Sequence, residues 1–118
     1  VTNHIRIRYE LPEKTFIPGD TIVMPVVLHN TSAEDYYFNH SVFPGELTGI
    51  LISRGKMTEI PAIYQISDSI PAGEEVNAEV KLAVPYLPAD VCDFTLSLKS
   101  WFGPTLNAPV VPVNVRQP

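Results

Sequence analysis

FIPGDTIVMPVVLHNTS, residues 16–32, decides the fold. It joins a Pro-Gly turn, an apolar run and an Asn-Thr-Ser tail, and could be a ligand loop or the start of a strand. Pro18-Gly19-Asp20 is turn chemistry: proline presets one dihedral and glycine supplies another that bulkier residues avoid. It places an acid where a phosphate loop requires backbone amides and a lysine. Past the turn, Ile22, Met24, Val26 and Leu28 recur at every second residue, opposite Thr21, Val23, Pro25, Val27 and His29. A period of two marks a strand with one face buried. Pro25 has no N–H to give to a ladder, so an edge or a bulge is expected there. Asn30, Thr31 and Ser32 end the strand in a turn. The stretch therefore reads as turn plus strand.

The same pattern returns in PAGEEVNAEVKLAVP, residues 71–85. Val76, Ala78, Val80, Leu82 and Val84 take the inward face, and Asn77, Glu79, Lys81 and Ala83 the outward one. Two such strands are expected to face or neighbour each other across one core. Nothing around them recurs at a fixed period, so the pair is not read as an internal repeat. HIRIRYEL, residues 4–11, sets Ile5, Ile7, Tyr9 and Leu11 against His4, Arg6, Arg8 and Glu10. Residues 36–43 and 47–53 read as two strands joined through Pro44-Gly45, and residues 59–66 as a third, interrupted by Pro61. Residues 93–102 set Phe94, Leu96 and Leu98 against Thr95, Ser97 and Lys99. Residues 110–115 form the last strand, where Pro112 indicates an edge. The 12 prolines are scattered, which forbids long helices, and no window shows a helical stripe. The expectation is all-β: an antiparallel immunoglobulin-like β-sandwich of seven to nine strands, as one domain over residues 1–118. A chain that opens on Val1 reads as a mature protein or a domain cut from a longer one.

Composition narrows the function. A net charge of −5 argues against nucleic acid and anionic membrane surfaces, which draw on clustered lysine and arginine. The basic residues gather only at Arg6 and Arg8, with Arg116 as a candidate neighbour. No apolar run reaches the ~20 residues of a membrane-spanning helix. A single Cys92 excludes an internal disulfide and a cysteine metal cage, and reads as a small buried hydrophobe. His4, His29 and His40 lack metal-ligand spacing; His4 and His29 fall on outward strand positions. Glu34-Asp35 and Asp90-Asp93 lack the alternation of a calcium loop and read as solvated turn acids. There is no Gly-x-Ser-x-Gly elbow, and a paired-carboxylate site would need a deeper cleft than so small a sandwich affords. No catalytic residue, metal or cofactor is expected. Asn30-Thr31-Ser32 and Asn39-His40-Ser41 match the N-glycosylation pattern, which has meaning only in a eukaryotic secretory setting.

The aromatic residues carry the functional weight. Tyr36-Tyr37-Phe38 must send neighbouring rings to opposite faces, and Trp101-Phe102 does the same at a strand end. Exposed rings offer saccharides a stacking platform, whereas buried ones belong to the core. Phe-x-Pro-Gly-Asp, the His-Asn-Thr-Ser tail, Pro-Ala-Gly-Glu, Asp-Phe-Thr-Leu-Ser-Leu and Trp-Phe-Gly follow one another in an order that resembles a known group. These are the immunoglobulin-like accessory domains of bacterial surface-polysaccharide systems, such as the C-terminal domain of O-antigen ABC-transporter ATPases. Residues 43–65 depart from that group. The resemblance implies a non-catalytic module that recognises carbohydrate through Tyr36, Tyr37, Trp101 and Phe102, on either the cytoplasmic or the cell-surface side of a bacterial envelope. The alternative is a structural spacer or a protein-interaction domain of a larger surface protein, with a homodimer through a sheet edge as one form. A small hydrolase ranks last.

Overall fold

The computed structural model describes residues 5–38, 46–88, 90–99 and 108–116. Among the described residues the chain is all-β, with no helix. The strands are β1 (Ile5–Tyr9), β2 (Thr15–Phe16), β3 (Thr21–Asn30), β4 (Tyr36–Tyr37) and β5 (Glu46–Ser53). They continue as β6 (Lys56–Gln65), β7 (Ser69–Ile70), β8 (Glu75–Ala83), β9 (Asp90–Lys99) and β10 (Val111–Val115). Eight form one continuous ladder in the order β1-β3-β8-β6-β5-β9-β10-β2, while β4 and β7 pair separately. The pairings are antiparallel except that of β10 with β2.

The long sheet curls around one core. β8 and β5 are separated by β6 in the ladder, yet Leu82 Cδ1 of β8 lies 3.1 Å from where a Cβ on Gly49 of β5 would stand. Tyr9 of β1 packs edge-on against Phe94 of β9, ring centroids 5.6 Å apart. The alternation read from the sequence fills the interior: Ile7, Met24, Leu28, Val80, Leu82, Phe94, Leu96 and Val113 are all buried. β6 makes the bend. Residues 56–61 register with β5 and residues 62–65 with β8. The handover falls at Pro61, which has no N–H to contribute. The strand runs through that proline, and what is interrupted is its pairing.

β3 and β8 are antiparallel neighbours, and the likeness between them reaches further than the sequence pattern shows. Residues 17–20 and 71–74 are both type II turns: Asp20 N donates to Ile17 O and Glu74 N to Pro71 O, each at 3.0 Å. Gly19 and Gly73 occupy the position that requires positive φ, at 92° and 76°. Each turn then clasps the end of the opposite strand. Gly19 N donates to Val84 O, and Val84 N to Asp20 O; likewise Gly73 N donates to Asn30 O, and Asn30 N to Glu74 O. A two-residue strand precedes each turn, β2 in one case and β7 in the other. Tyr9 registers with Val26 and Tyr64 with Val80, so each long strand is flanked by a strand carrying a tyrosine at the equivalent place. A local two-fold through the Pro25–Glu79 pair relates the two units. The likeness stays local, since β2 pairs in parallel with β10 in the long sheet whereas β7 pairs antiparallel with β4 outside it. Strands of two residues are too short to show alternation, so no periodicity could reveal them.

Pro25 also departs from expectation, since β3 lies inside the sheet. Pro25 O accepts from Glu10 N, so its nitrogen points to the same side, toward β1. β1 ends at Tyr9, and the missing donor therefore falls where the ladder has stopped. Pro112 fits its expected place more closely. β10 meets β2 only at Asn114 and Val115, and Pro112 lies outside that contact.

Candidate functional site

Tyr36 and Tyr37 form β4, held against β7 with Tyr36 opposite Ile70 and Tyr37 opposite Ser69. Phe38 N donates to Asp68 O at 2.9 Å and closes the far end of the pair. The Tyr36 ring packs edge-on to Phe38, centroids 5.0 Å apart, and lies half-buried against the core. Tyr37, between them, is 54% exposed. The structure thus separates these two sequence-predicted residues, one toward the core and one toward solvent. Trp101 and Phe102 lie outside the described residues, as do His4, His40 and the Asn39-His40-Ser41 motif.

Asp35 and Asn30, two of the polar residues singled out in the sequence, serve the fold. Asp35 Oδ1 accepts from Ala72 N at 2.9 Å and so caps the second turn. Asn30 is fully buried. Its Nδ2 donates to Glu34 O and Ile70 O, and its Oδ1 accepts from the Ser32 amide and the Ser32 hydroxyl. All four hydrogen-bonding positions of the amide are filled, so in the folded chain Nδ2 has no room for a glycan. Arg8 pairs with Glu75 at 2.9 Å on the surface. Among the described residues no three His, Cys, Asp or Glu side chains gather where they could hold a metal ion.

A second site was not singled out in the sequence. Ser53-Arg54-Gly55-Lys56 is a two-residue hairpin loop joining β5 to β6, with Ser53 opposite Lys56. Arg54 and Gly55 both have positive φ, 53° and 79°. This is the type I′ geometry that matches strand twist, and its first position favours asparagine, aspartate or glycine. An arginine held there costs about 1–2 kcal/mol of backbone strain. Its Nε reaches Asp90 Oδ2 at 3.2 Å. Asp90 also accepts from the Ser53 hydroxyl at 2.7 Å and from Val91 N at 2.8 Å. Those hydrogen bonds, Ser53 first, hold its carboxyl below the usual aspartate range, with Arg54 adding to the effect. Behind this rim opens a cleft of about 380 Å³. Leu51 and Cys92 line it and are buried, Leu87 and Pro88 form a wall, and Lys56 stands beside Arg54. The available sequence signal was Gly55 after the apolar run Ile50-Leu51-Ile52, without the asparagine or aspartate that ordinarily marks a two-residue hairpin.

No protein-family model matches the chain, and no curated protein sequence matches it. Solved structures do share its fold. The alkylpurine DNA glycosylase AlkC of Pseudomonas fluorescens, solved bound to DNA, superposes with a TM-score of 0.62 at 8% identity; the match covers 98% of this chain and 31% of the glycosylase. The CARDB domain of a Pyrococcus furiosus protein gives 0.51 at 9% identity, covering 97% of this chain and 94% of that one. A β-glucosidase of Listeria innocua gives 0.53 at 12% identity, covering 97% of this chain and 16% of the enzyme. The chain thus spans less than a third of either enzyme. At such identities the likeness is one of fold.

Proposed function

We propose that the chain is an immunoglobulin-like β-sandwich that acts as a non-catalytic binding module, with carbohydrate as its ligand. The strand order supports the sandwich, because β6 divides the long sheet into β1-β3-β8 on one side and β5-β9-β10-β2 on the other. The likeness to a CARDB domain supports it too. The observation that carries the binding reading is Tyr37. Its ring stands in solvent on a backbone clamped by β7 and by the packed rings of Tyr36 and Phe38. A tyrosine fixed in this way offers a broad amphipathic face and loses little side-chain freedom on contact. Tyr36 serves as its anchor.

Titration with a panel of oligosaccharides, read by intrinsic fluorescence, tests this. Tyr37→Ala is expected to remove the response and leave the melting temperature unchanged, whereas Tyr36→Ala lowers the melting temperature. A Tyr37→Ala variant that binds as the parent does, or a panel without response, overturns the saccharide reading. A protein-interaction role is the second reading. It is favoured by the size of the match to the two enzymes, 31% and 16% of their chains, where this fold is one part of a larger protein.

A further inference from the structure

We propose that the cleft behind the β5–β6 hairpin binds an apolar monocarboxylate, its head on Arg54 and Lys56 and its body against Leu51 and Cys92. This site is separate from the Tyr37 face. Four features of the hairpin and cleft lead to it. First, Arg54 occupies a left-handed position where asparagine or glycine is the ordinary choice, so the backbone supplies no reason for an arginine. Second, the contact with Asp90 engages Nε, and the two terminal nitrogens of the guanidinium have no ion-pair partner among the described residues. Asp90 is itself fixed by Ser53 and by Val91 N, and it holds Nε of an Arg54 side chain that is otherwise 87% exposed to an incoming ligand. Third, two cations and one carboxylate line the cleft, in a chain whose net charge is −5. The surplus of one positive charge matches one carboxylate, and a planar guanidinium is shaped for that group. Fourth, the cleft is about 380 Å³, at the small end of ligand sites, and its buried lining is apolar. A dianionic phosphate would leave one charge unmatched and would set its remaining oxygens against Leu51.

The ligand chemistry is shared by a free short-chain acid and by the C-terminus of a peptide ending in an apolar residue, and the test separates them. The chain is titrated with hexanoate, with hexanamide, and with Gly-Gly-Leu as free acid and as amide, observing backbone amide shifts of residues 51–58 and 90–93. At least one acid is expected to shift them, at least tenfold more tightly than its own amide. Which acid does so identifies the source. Arg54→Asn is expected to weaken that acid at least tenfold while the melting temperature holds or rises, because asparagine relieves the turn. Lys56→Gln provides the same comparison with the turn untouched. The proposal is overturned if neither acid shifts the cleft, if acid and amide bind alike, or if both variants bind as the parent does. It is overturned too if Arg54→Asn lowers the melting temperature and keeps its affinity, since the arginine would then be structural. Neither the binding of saccharide nor its absence enters this result.

Discussion

Asn30 shows how far one side chain can carry a fold. It ends β3, and its backbone joins the second turn while its amide ties residues 32 and 34 to Ile70. The two-fold places Val84 at the equivalent position, where an apolar residue suffices. Asn30→Ala removes four hydrogen bonds, taking the side-chain donor from Ile70 O while Glu34 O keeps the Ser32 hydroxyl, and should cost about 3 kcal/mol, read from the urea midpoint at constant slope. A change under ~1 kcal/mol would mean that the network is solvated in solution. Gly49 is the opposite case, a residue needed for what it lacks. In an ordinary strand, alanine improves on glycine. Here a new Cβ would stand 3.1 Å from Leu82 Cδ1 and 3.3 Å from Phe94 Cε1, both in fully buried side chains that would have to give way. Gly49→Ala should therefore destabilise by about 1–2 kcal/mol. Neither role was legible in the sequence, where Asn30 resembled a turn residue and a glycosylation acceptor. Of its partners, Ser32 and Glu34 are near neighbours in the chain, and only Ile70 comes from a distant strand.

At the scale of elements, the long strands announced themselves and the short ones did not. Alternation over eight to ten residues located β3, β8 and the body of β9. β2 and β7 have two residues each, too few for any period, yet they anchor the two turns. Those turns offer a clean comparison. Nothing stands within 4 Å of a Cβ built on Gly73, so Gly73→Ala reports backbone strain alone. It should lower stability by about 1 kcal/mol, and Gly19→Ala by a similar amount, because the two positions share one conformation. Thermal unfolding of both variants checks the equivalence, and a neutral Gly73→Ala would remove the case for it. Of the four aromatic residues proposed for the site, Tyr37 is exposed, Tyr36 packs toward the core, and Trp101 and Phe102 lie outside the described residues. A run of three rings dictates that neighbours diverge but not which one faces water.

For the whole molecule, two of the described groups carry shifted titrations, with opposite consequences for stability against pH. Tyr9 packs against the core, and its one hydroxyl proton is shared between Pro109 O at 2.6 Å and Phe94 O at 3.1 Å. Burial pushes its hydroxyl up to about 12, against an opposing effect from Thr95. The folded chain then keeps a proton that the unfolded chain releases near ~10, so this stability is complete below that pH and is lost as pH rises toward the folded value. Asp90 works in the other direction. Its folded value is lowered, so its contribution is complete above ~4 and is lost as pH falls through the folded value. Urea midpoints measured across pH should show a plateau between these limits. Tyr9→Phe should flatten the alkaline decline, and an unchanged decline would exclude Tyr9 as its cause.

By itself the sequence determined that the chain is β, where β3, β8 and the body of β9 run, and which face of β3 and β8 is dry. These follow from a two-residue period, which is local and needs no knowledge of partners. The tertiary structure alone decided that β3 lies inside the sheet, that β6 changes partners at Pro61, and that Asn30 is sealed. It also brought Asp90 to Arg54 across a gap of many residues. Each of these depends on which distant segments the collapsing chain brings together, and that is settled by the packing of the whole core.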